Sequence, residues 1–131
     1  MDINSQTVVF ITGGASGLGE AFARYCFALG ANVAIADINR SRMQALKEEM
    51  PRLLTIHCDV TKESDLKNAV QKTVDAFGGL HVAMASAGTA LSSTTLSEKK
   101  SLDMEQFELV TKINLFGSMY MAKHAAIQMS K

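Results

Sequence analysis

The stretch TVVFITGGASGLG, from Thr7 to Gly19, decides the fold of this chain. Its first five residues form a continuous apolar and β-branched run, which is typical of a strand buried on both faces. Glycines then interrupt the run, and apolar residues resume at helical spacing from Glu20 to Leu29. The stretch therefore predicts a buried strand, a glycine-rich turn and a helix.

The same unit repeats along the chain. Three more apolar runs predict strands, and between them lie amphipathic helical segments, with Thr61 and Asp103 as expected N-caps of the last two helices. Each connection is long enough to hold a helix and the strands lack polar alternation, so the pattern predicts parallel pairing. We expect an α/β fold, a Rossmann-like doubly wound parallel sheet. Its further predicted strands and helices are Asn32–Ala36, Ser41–Met50, Leu53–His57, Lys62–Phe77, His81–Ala85 and a last helix that runs from Asp103 to the chain end.

The glycine turn has the spacing of an anion-binding loop. Gly13, Gly17 and Gly19 let the main chain approach a bulky anion at a helix N-terminus, where a pyrophosphate fits. A P-loop is a worse match, because Glu20 and Ala21 follow where Lys and Ser/Thr are required. The order also differs from Gly-x-Gly-x-x-Gly, and a turn that only packs strand against helix would explain the glycines alone.

Asp37 ends the second predicted strand about twenty residues after the turn, where an acid binds the hydroxyls of an adenosine ribose. The turn and this acid together predict a dinucleotide site. At ~4 Å a carboxylate repels a 2′-phosphate by about 1 to 4 kcal/mol, whereas a 2′-hydroxyl donates a hydrogen bond to it. The sequence therefore predicts NAD rather than NADP, with Arg40 as a solvated loop charge.

Composition argues against several other functions. Thirteen basic and 13 acidic residues balance to zero net charge, so we expect no nucleic-acid or membrane partner. Cys26 and Cys58 lack a metal-binding spacing, and no metal site is predicted. The start of the chain has neither the basic region nor the apolar core of a secretory signal. The expected location is intracellular and soluble, in the cytoplasm or in mitochondria.

Over its whole length the chain resembles the short-chain dehydrogenase/reductase family. Thr12 to Gly19 meets the family's Thr-Gly-x-x-x-Gly-x-Gly turn, Asp59-Val60 matches the pair that contacts adenine, and Ser86-Ala87-Gly88 matches the end of the Asn-Asn-Ala-Gly motif. Asn114 in INLFG matches the family's active-site Asn. The resemblance implies a catalytic role for Asn114 and NAD-binding roles for Thr12, Gly13, Ser16, Gly17, Leu18, Gly19, Asp37, Asp59, Val60, Ser86, Ala87 and Gly88.

Several positions depart from the family pattern. Ala85 replaces the first Asn of the Asn-Asn-Ala-Gly motif, and His81 replaces an Asp and is expected at the surface. In the family a Tyr acts on the proton at the substrate oxygen, and a Lys four residues later lowers its pKa. Neither Tyr25 nor Tyr120 has a Lys at that spacing. Tyr120 is therefore expected to pack in the fold or at an interface.

The closest resemblance within the family is to the type 2 3-hydroxyacyl-CoA dehydrogenases, also called 17β-hydroxysteroid dehydrogenases type 10. It rests on the TGGASGLG turn and on the polar insert TALSSTTLSEKKSLDMEQF, residues 89–107. It implies an NAD-dependent oxidoreductase that moves hydride between nicotinamide and a secondary alcohol or ketone, with a small-molecule substrate and a homo-oligomer at full length. Residues 1–131 would be the NAD-binding Rossmann half, truncated after the fourth strand and the following long helix.

The family's strand order would leave the fourth strand as an apolar open edge, so we expect the chain to be marginally stable alone and to lack turnover. The alternative function is a catalytically inactive truncated nucleotide-binding or dimerising module. A structural α/β interaction domain is a third reading, and it would make the glycine turn and Asp37 a coincidence.

Overall fold

The structure, a computed structural model, describes residues 1–131 and is built on one parallel sheet of four strands in the order β3-β2-β1-β4. The predicted Rossmann-like α/β fold is confirmed. In chain order the elements are β1 (Val8–Thr12), α1 (Gly17–Ala28), β2 (Asn32–Asp37), α2 (Arg40–Glu49), β3 (Leu54–His57), α3 (Glu63–Phe77), β4 (Val82–Ala85), α4 (Met104–Thr111), a π-helical turn (Lys112–Phe116) and α5 (Gly117–Met129).

Helices cover both faces of the sheet, which explains why the strands read as unbroken apolar runs. Successive strand residues point to opposite faces, so the alternating β1 residues Val9 and Ile11 pack with α1 and α2. Val8 and Phe10 pack on the other face with α3 and α5. All four of these side chains are buried.

The expected N-cap at Thr61 is wrong. Helix α3 begins at Glu63, Lys62 takes the N-cap position, and no side chain caps it. The Thr61 hydroxyl instead donates to Oδ1 of Asp59 at 2.7 Å, because that carboxylate is a strong acceptor only two residues away. Asp103 does cap α4, since its Oδ1 accepts from the backbone N–H of Glu105 at 3.0 Å.

The last helix is interrupted rather than continuous. A π-helical turn with Asn114 at its centre separates α4 from α5. Such turns insert an extra residue into a helix and are frequent at functional sites. Just after it, Gly117 passes close to Val60, where an added Cβ would lie 3.0 Å from the Val60 side chain.

Strand β4 lies at the edge of the sheet and pairs only with β1. Val82, Ala83 and Met84 are half-buried and Ala85 is exposed. The expected open edge at the fourth strand is therefore present. No helix in this fold combines the length and the apolar character that a membrane crossing needs.

Candidate functional site

A cavity of about 530 Å³ opens at the carboxyl ends of the strands, beside the junction of β1 with β2 and β4. The strand order reverses at β1, and in open α/β sheets this switch point is where ligands bind. The volume is in the range of small-molecule sites. The cavity is lined by the predicted residues Gly13, Ser16, Gly17, Leu18, Asp37, Asp59, Val60, Ser86, Ala87 and Gly88.

The glycine turn forms one wall of the cavity, and at Gly13 and Gly19 the protein leaves no room for a side chain. Gly13 has a φ of +66°, and a Cβ on it would lie 2.6 Å from the backbone nitrogen of Ala87. A Cβ on Gly19, which lies beneath the cavity surface, would overlap the Gly13 carbonyl oxygen. Gly17 also has a positive φ, +55°, but a Cβ there would meet no protein atom within 4 Å. The turn is thus packed tightly on its protein side and open at Gly17.

Three backbone donors are unpaired where α1 begins. Glu20 is the first residue of the helix whose N–H is bonded, to the Ser16 carbonyl at 3.1 Å. The N–H groups of Gly17, Leu18 and Gly19 precede it and have no acceptor within the protein. Unpaired amides at the positive end of a helix dipole bind anions.

Asp37, at the end of β2, lines the same cavity. Its Oδ2 accepts from the Ala15 N–H at 3.0 Å, and its Oδ1 accepts from the Asn39 N–H at 2.9 Å. These bonds fix the carboxylate against the glycine turn. Each oxygen keeps a further lone pair, so the half-buried group can still accept hydrogen bonds from ligand hydroxyls in the cavity.

Asp59 and Val60 follow β3 and also line the cavity. Oδ1 of Asp59 accepts from the Thr61 hydroxyl at 2.7 Å and from the Thr61 N–H at 3.0 Å. Chiefly through the hydroxyl bond, these contacts hold the pKa of Asp59 below its usual value. Asp59 therefore stays an ionised acceptor at neutral pH.

Cys58, which the sequence did not indicate, also lines the cavity. Burial, and then the nearby charges of Asp65 and Asp59, raise the pKa of this thiol to about 12. The thiolate is the nucleophilic form of cysteine, so Cys58 is a neutral lining group.

The end of β4 is joined to β1 through Thr12. The Ser86 N–H donates to the Thr12 carbonyl at 3.1 Å, and the Ala87 N–H approaches the Thr12 hydroxyl oxygen at 3.4 Å. Thr12 is buried behind the cavity and does not line it. These contacts join the two strands although Ala85 cannot supply the amide side chain that the family pattern has there.

Asn114 lies beside the cavity rather than in its lining. Its Oδ1 accepts from the Thr89 N–H at 2.9 Å and its Nδ2 donates to the Thr89 carbonyl at 2.8 Å. One amide side chain therefore holds both polar groups of the Thr89 backbone. The preceding residue, Ile113, and Thr89 itself are in the lining.

The remaining lining residues could have been found from chain continuity alone. Each is next in sequence to a residue that the motifs had indicated, and they are Ala36, Ile38, Cys58, Thr89 and Ile113. Tyr120 is not among them. It packs against the apolar core with its ring 6.2 Å from that of Phe116, which agrees with the expected packing role.

Comparisons with known proteins agree with this fold. Residues 7–131 match the family model described as short chain dehydrogenase. The chain is 37% identical over 125 residues to the mitochondrial (-)-isopiperitenol/(-)-carveol dehydrogenase of Mentha piperita, covering 93% of this chain and 46% of that protein. It is 38% identical over 123 residues to secoisolariciresinol dehydrogenase of Forsythia intermedia, covering 91% of this chain and 43% of that protein.

A solved structure matches as well. A short-chain type dehydrogenase/reductase from Mycobacterium ulcerans superposes with a TM-score of 0.88 at 26% identity, covering 98% of this chain and 48% of that chain. The chain spans about half the length of the curated relatives that it matches. With a family model matched along nearly the whole chain, this protein belongs to the short-chain dehydrogenase family.

Proposed function

We propose that this chain supplies the NAD-binding half of an oxidoreductase that transfers hydride between nicotinamide and a secondary alcohol or ketone. The family acts on small molecules and typically uses NAD or NADP. The observation that carries the proposal is that one cavity is lined both by Gly17 and Leu18, whose amides at the start of α1 are unpaired, and by the Asp37 carboxylate.

The residues present fit a dinucleotide. The amides of Gly17, Leu18 and Gly19 would hold the pyrophosphate, and Asp37 would accept hydrogen bonds from the adenosine ribose. The resemblance implies that Asp59 and Val60 contact the adenine, and the support for this role is that both line the cavity. When bound, the nicotinamide supplies the hydride acceptor for alcohol oxidation.

The other residues predicted to bind the cofactor form the walls of the cavity or support them. In the proposal Gly13 and Ser16 shape the turn around the pyrophosphate, and Ser86, Ala87 and Gly88 form the wall at the end of β4. Thr12 supports that wall from behind through its bonds to Ser86 and Ala87.

The charges of the cavity favour NAD over NADP. Its only ionisable side chains besides the inert Cys58 are the carboxylates of Asp37 and Asp59, and no Lys or Arg lines it. A 2′-phosphate near Asp37 would meet like-charge repulsion of about 1 to 4 kcal/mol at ~4 Å without a compensating cation. Arg40 is exposed at the start of α2 and is not part of the lining, which supports its role as a solvated charge.

The proton chemistry needs a group that the printed sequence does not contain. Oxidation of a secondary alcohol sends its carbon-bound hydrogen to nicotinamide as hydride and its hydroxyl proton to a base. The sequence has no Tyr-x-x-x-Lys, so we propose that residues 1–131 lack turnover alone. For Asn114 we propose a catalytic-centre role, supported by its hold on Thr89 at the cavity wall.

For substrate class we propose a 3-hydroxyacyl-CoA or a hydroxysteroid. The support is the polar insert at residues 89–107, and the relatives above carry the names of other alcohol dehydrogenases. We also propose a homo-oligomer at full length. Its support is a set of exposed apolar side chains on α4, the π turn and α5, namely Met104, Phe107, Leu115, Phe116 and Met119.

Calorimetric titration of NAD and NADP into the chain and its Asp37→Asn variant tests the proposed site. We expect one NAD per chain, bound more tightly than NADP, and a smaller preference in the variant because the repulsion of a 2′-phosphate is removed. Binding of neither dinucleotide would contradict the proposal, and tighter binding of NADP by the unaltered chain would contradict the choice of cofactor.

The competing function, a nucleotide-binding or dimerising module without chemistry, also predicts NAD binding. Sequencing the parent reading frame beyond Lys131 separates the two. A Ser followed by Tyr-x-x-x-Lys within the next ~60 residues is what the oxidoreductase requires. An immediate stop codon would favour the module.

A further inference from the structure

A four-membered ion-pair network joins the first two turns of α1 to both ends of α2. Oε1 of Glu20 lies 2.6 Å from Nη2 of Arg42 and 3.0 Å from Nη2 of Arg24. Arg24 also pairs with Oε2 of Glu49 at 2.7 Å. The Glu20 side chain is only 16% exposed, against about 40% for both arginines. Two carboxylates balance two guanidinium groups, so the network has no net charge.

Arg42 is also tied to the glycine turn. Its Nε donates to the Ala15 carbonyl at 3.3 Å, while the Ala15 N–H donates to Oδ2 of Asp37 at 3.0 Å. The guanidinium and the Asp37 carboxylate are therefore separated by a single residue of the turn. The Arg42 backbone N–H is held as well, by Oδ1 of Asn39 at 3.0 Å.

This placement makes Arg42 the cation that a dinucleotide with a 2′-phosphate would need. In folds of this type an arginine near the ribose-binding acid accommodates that phosphate. Arg42 lies within one residue of Asp37 and has a long, flexible side chain, yet it does not line the cavity. Its guanidinium is directed to Glu20 and to the Ala15 carbonyl instead.

We propose that Glu20 is a positioning residue for cofactor choice, which holds Arg42 away from the adenosine 2′ position. The inference rests on the proposed NAD site and deepens it. Asp37 disfavours a 2′-phosphate by repulsion, and Glu20 removes the cation that could compensate for it. The hydrogen bond from Arg42, above all, lowers the pKa of Glu20, so the Glu20 carboxylate remains charged at neutral pH.

The test is a Glu20→Gln substitution in an Asp37→Asn background, with dissociation constants for NAD and NADP measured by calorimetry. An amide oxygen accepts more weakly from a guanidinium than a carboxylate does, so Arg42 is released. We expect NADP to bind about tenfold more tightly than in Asp37→Asn alone, as one charge-assisted hydrogen bond would give, while NAD changes by less than about twofold. Adding Arg42→Gln should abolish the gain.

Arg24→Gln in the same background is the matched control. It removes another partner of Glu20 but leaves the Arg42 contact, so the ratio of the two dissociation constants should not change. Thermal melting of each variant confirms that the proteins compared are folded. An unchanged ratio in the Glu20→Gln variant, or a gain that survives Arg42→Gln, would overturn the inference.

Arg42→Gln in the otherwise unaltered chain gives a second test that leaves Glu20 paired with Arg24. We expect NAD and NADP affinities to change alike, because Arg42 does not serve the 2′ position. A selective loss of NADP binding would show that Arg42 already reaches the phosphate, contrary to the inference. If the unaltered chain binds neither cofactor, the proposed function is wrong and the inference falls with it, whereas NAD binding with an unchanged Glu20→Gln ratio refutes only the inference.

Discussion

Substituting Gly17 with alanine distinguishes a binding role of the glycine turn from a purely structural one. Gly17 has a φ of +55°, which costs a residue with a side chain about 1 to 2 kcal/mol. The new methyl group would meet no protein atom within 4 Å, so no steric term is added. It would, however, stand in the lining of the cavity, where a close approach of the backbone to the ligand requires glycine.

Gly13→Ala provides the contrast. Its φ of +66° carries the same backbone cost, but its Cβ would lie 2.6 Å from the Ala87 nitrogen. That is roughly 1 Å short of a ~3.5 Å van der Waals separation. The atoms on both sides belong to the backbone and are tied through Thr12, so the overlap cannot be relieved locally. We expect Gly13→Ala to lose more than about 3 kcal/mol of unfolding free energy.

Gly78 supplies a control for the backbone term alone. It ends α3 with a φ of +82°, has open space at its Cβ position and does not line the cavity. Gly78→Ala and Gly17→Ala should therefore be destabilised alike, by about 1 to 2 kcal/mol in urea denaturation. Calorimetry should show that only Gly17→Ala weakens NAD binding, by about tenfold or more. Wild-type NAD affinity in Gly17→Ala, or destabilisation as large as that of Gly13→Ala, would show that Gly17 is not required for a close approach of the ligand.

Three further outcomes are expected. Asn114→Ala should lower the unfolding free energy by about 1 kcal/mol, because the N–H and the carbonyl of Thr89 would bond water instead of the Asn114 amide. Equal stability of the two chains in urea would contradict this. Thr61→Val should lower the unfolding free energy at neutral pH, because Asp59 loses the hydroxyl bond that helps to lower its pKa in the folded state. The difference in unfolding free energy from wild type should shrink as the pH falls below about 3.8, since the contribution of Asp59 is lost when it is protonated. A difference that is constant with pH in urea denaturation would argue against this. Cys58 should resist a thiol reagent at about pH 8 until the chain unfolds, because its pKa is raised to about 12; rapid labelling of the folded chain, located by mass spectrometry, would show otherwise.

The strands and the position of the cavity were predictable because the sequence encodes them locally. Apolar runs bounded by glycines and acids indicate buried strands directly, and each observed strand bound lies within one residue of the predicted one. Parallel pairing then brings the carboxyl ends of the strands together, so residues that follow each strand meet at one edge. That is how Gly13, Asp37, Asp59 and Ser86 could be assigned to one cavity.

Features that depend on distant contacts could not be predicted. The π turn is accompanied by the bonds between Asn114 and Thr89 and by the close passage of Gly117 over Val60, and both contacts join residues far apart in the sequence. No local pattern marks it. The Thr61 hydroxyl could bond either the Asp59 carboxylate or a backbone N–H at the start of α3. It bonds Asp59, and residue propensities do not predict which of the two nearby partners is bonded.

The ion-pair network of Glu20, Arg24, Arg42 and Glu49 also depends on distant contacts and could not be predicted from the sequence. In the sequence Glu20 and Arg42 are ordinary helix charges 22 positions apart. Only the folded chain shows that they pair at 2.6 Å beside Ala15, next to the acid that faces the cavity. The sequence could indicate Asp37 as a determinant of cofactor choice, but a residue that acts by restraining another requires the structure.

The most direct test of the account is an NMR titration of NAD into the isotope-labelled chain, followed at the backbone amides. We expect saturable shifts at the amides of Gly17, Leu18 and Gly19, which are unpaired in the protein, and no shift at Gly78, which lies outside the cavity lining. If NAD leaves these three amides unchanged at saturation, or binds with its shifts confined to another surface, the cavity beside the glycine turn is not a dinucleotide site.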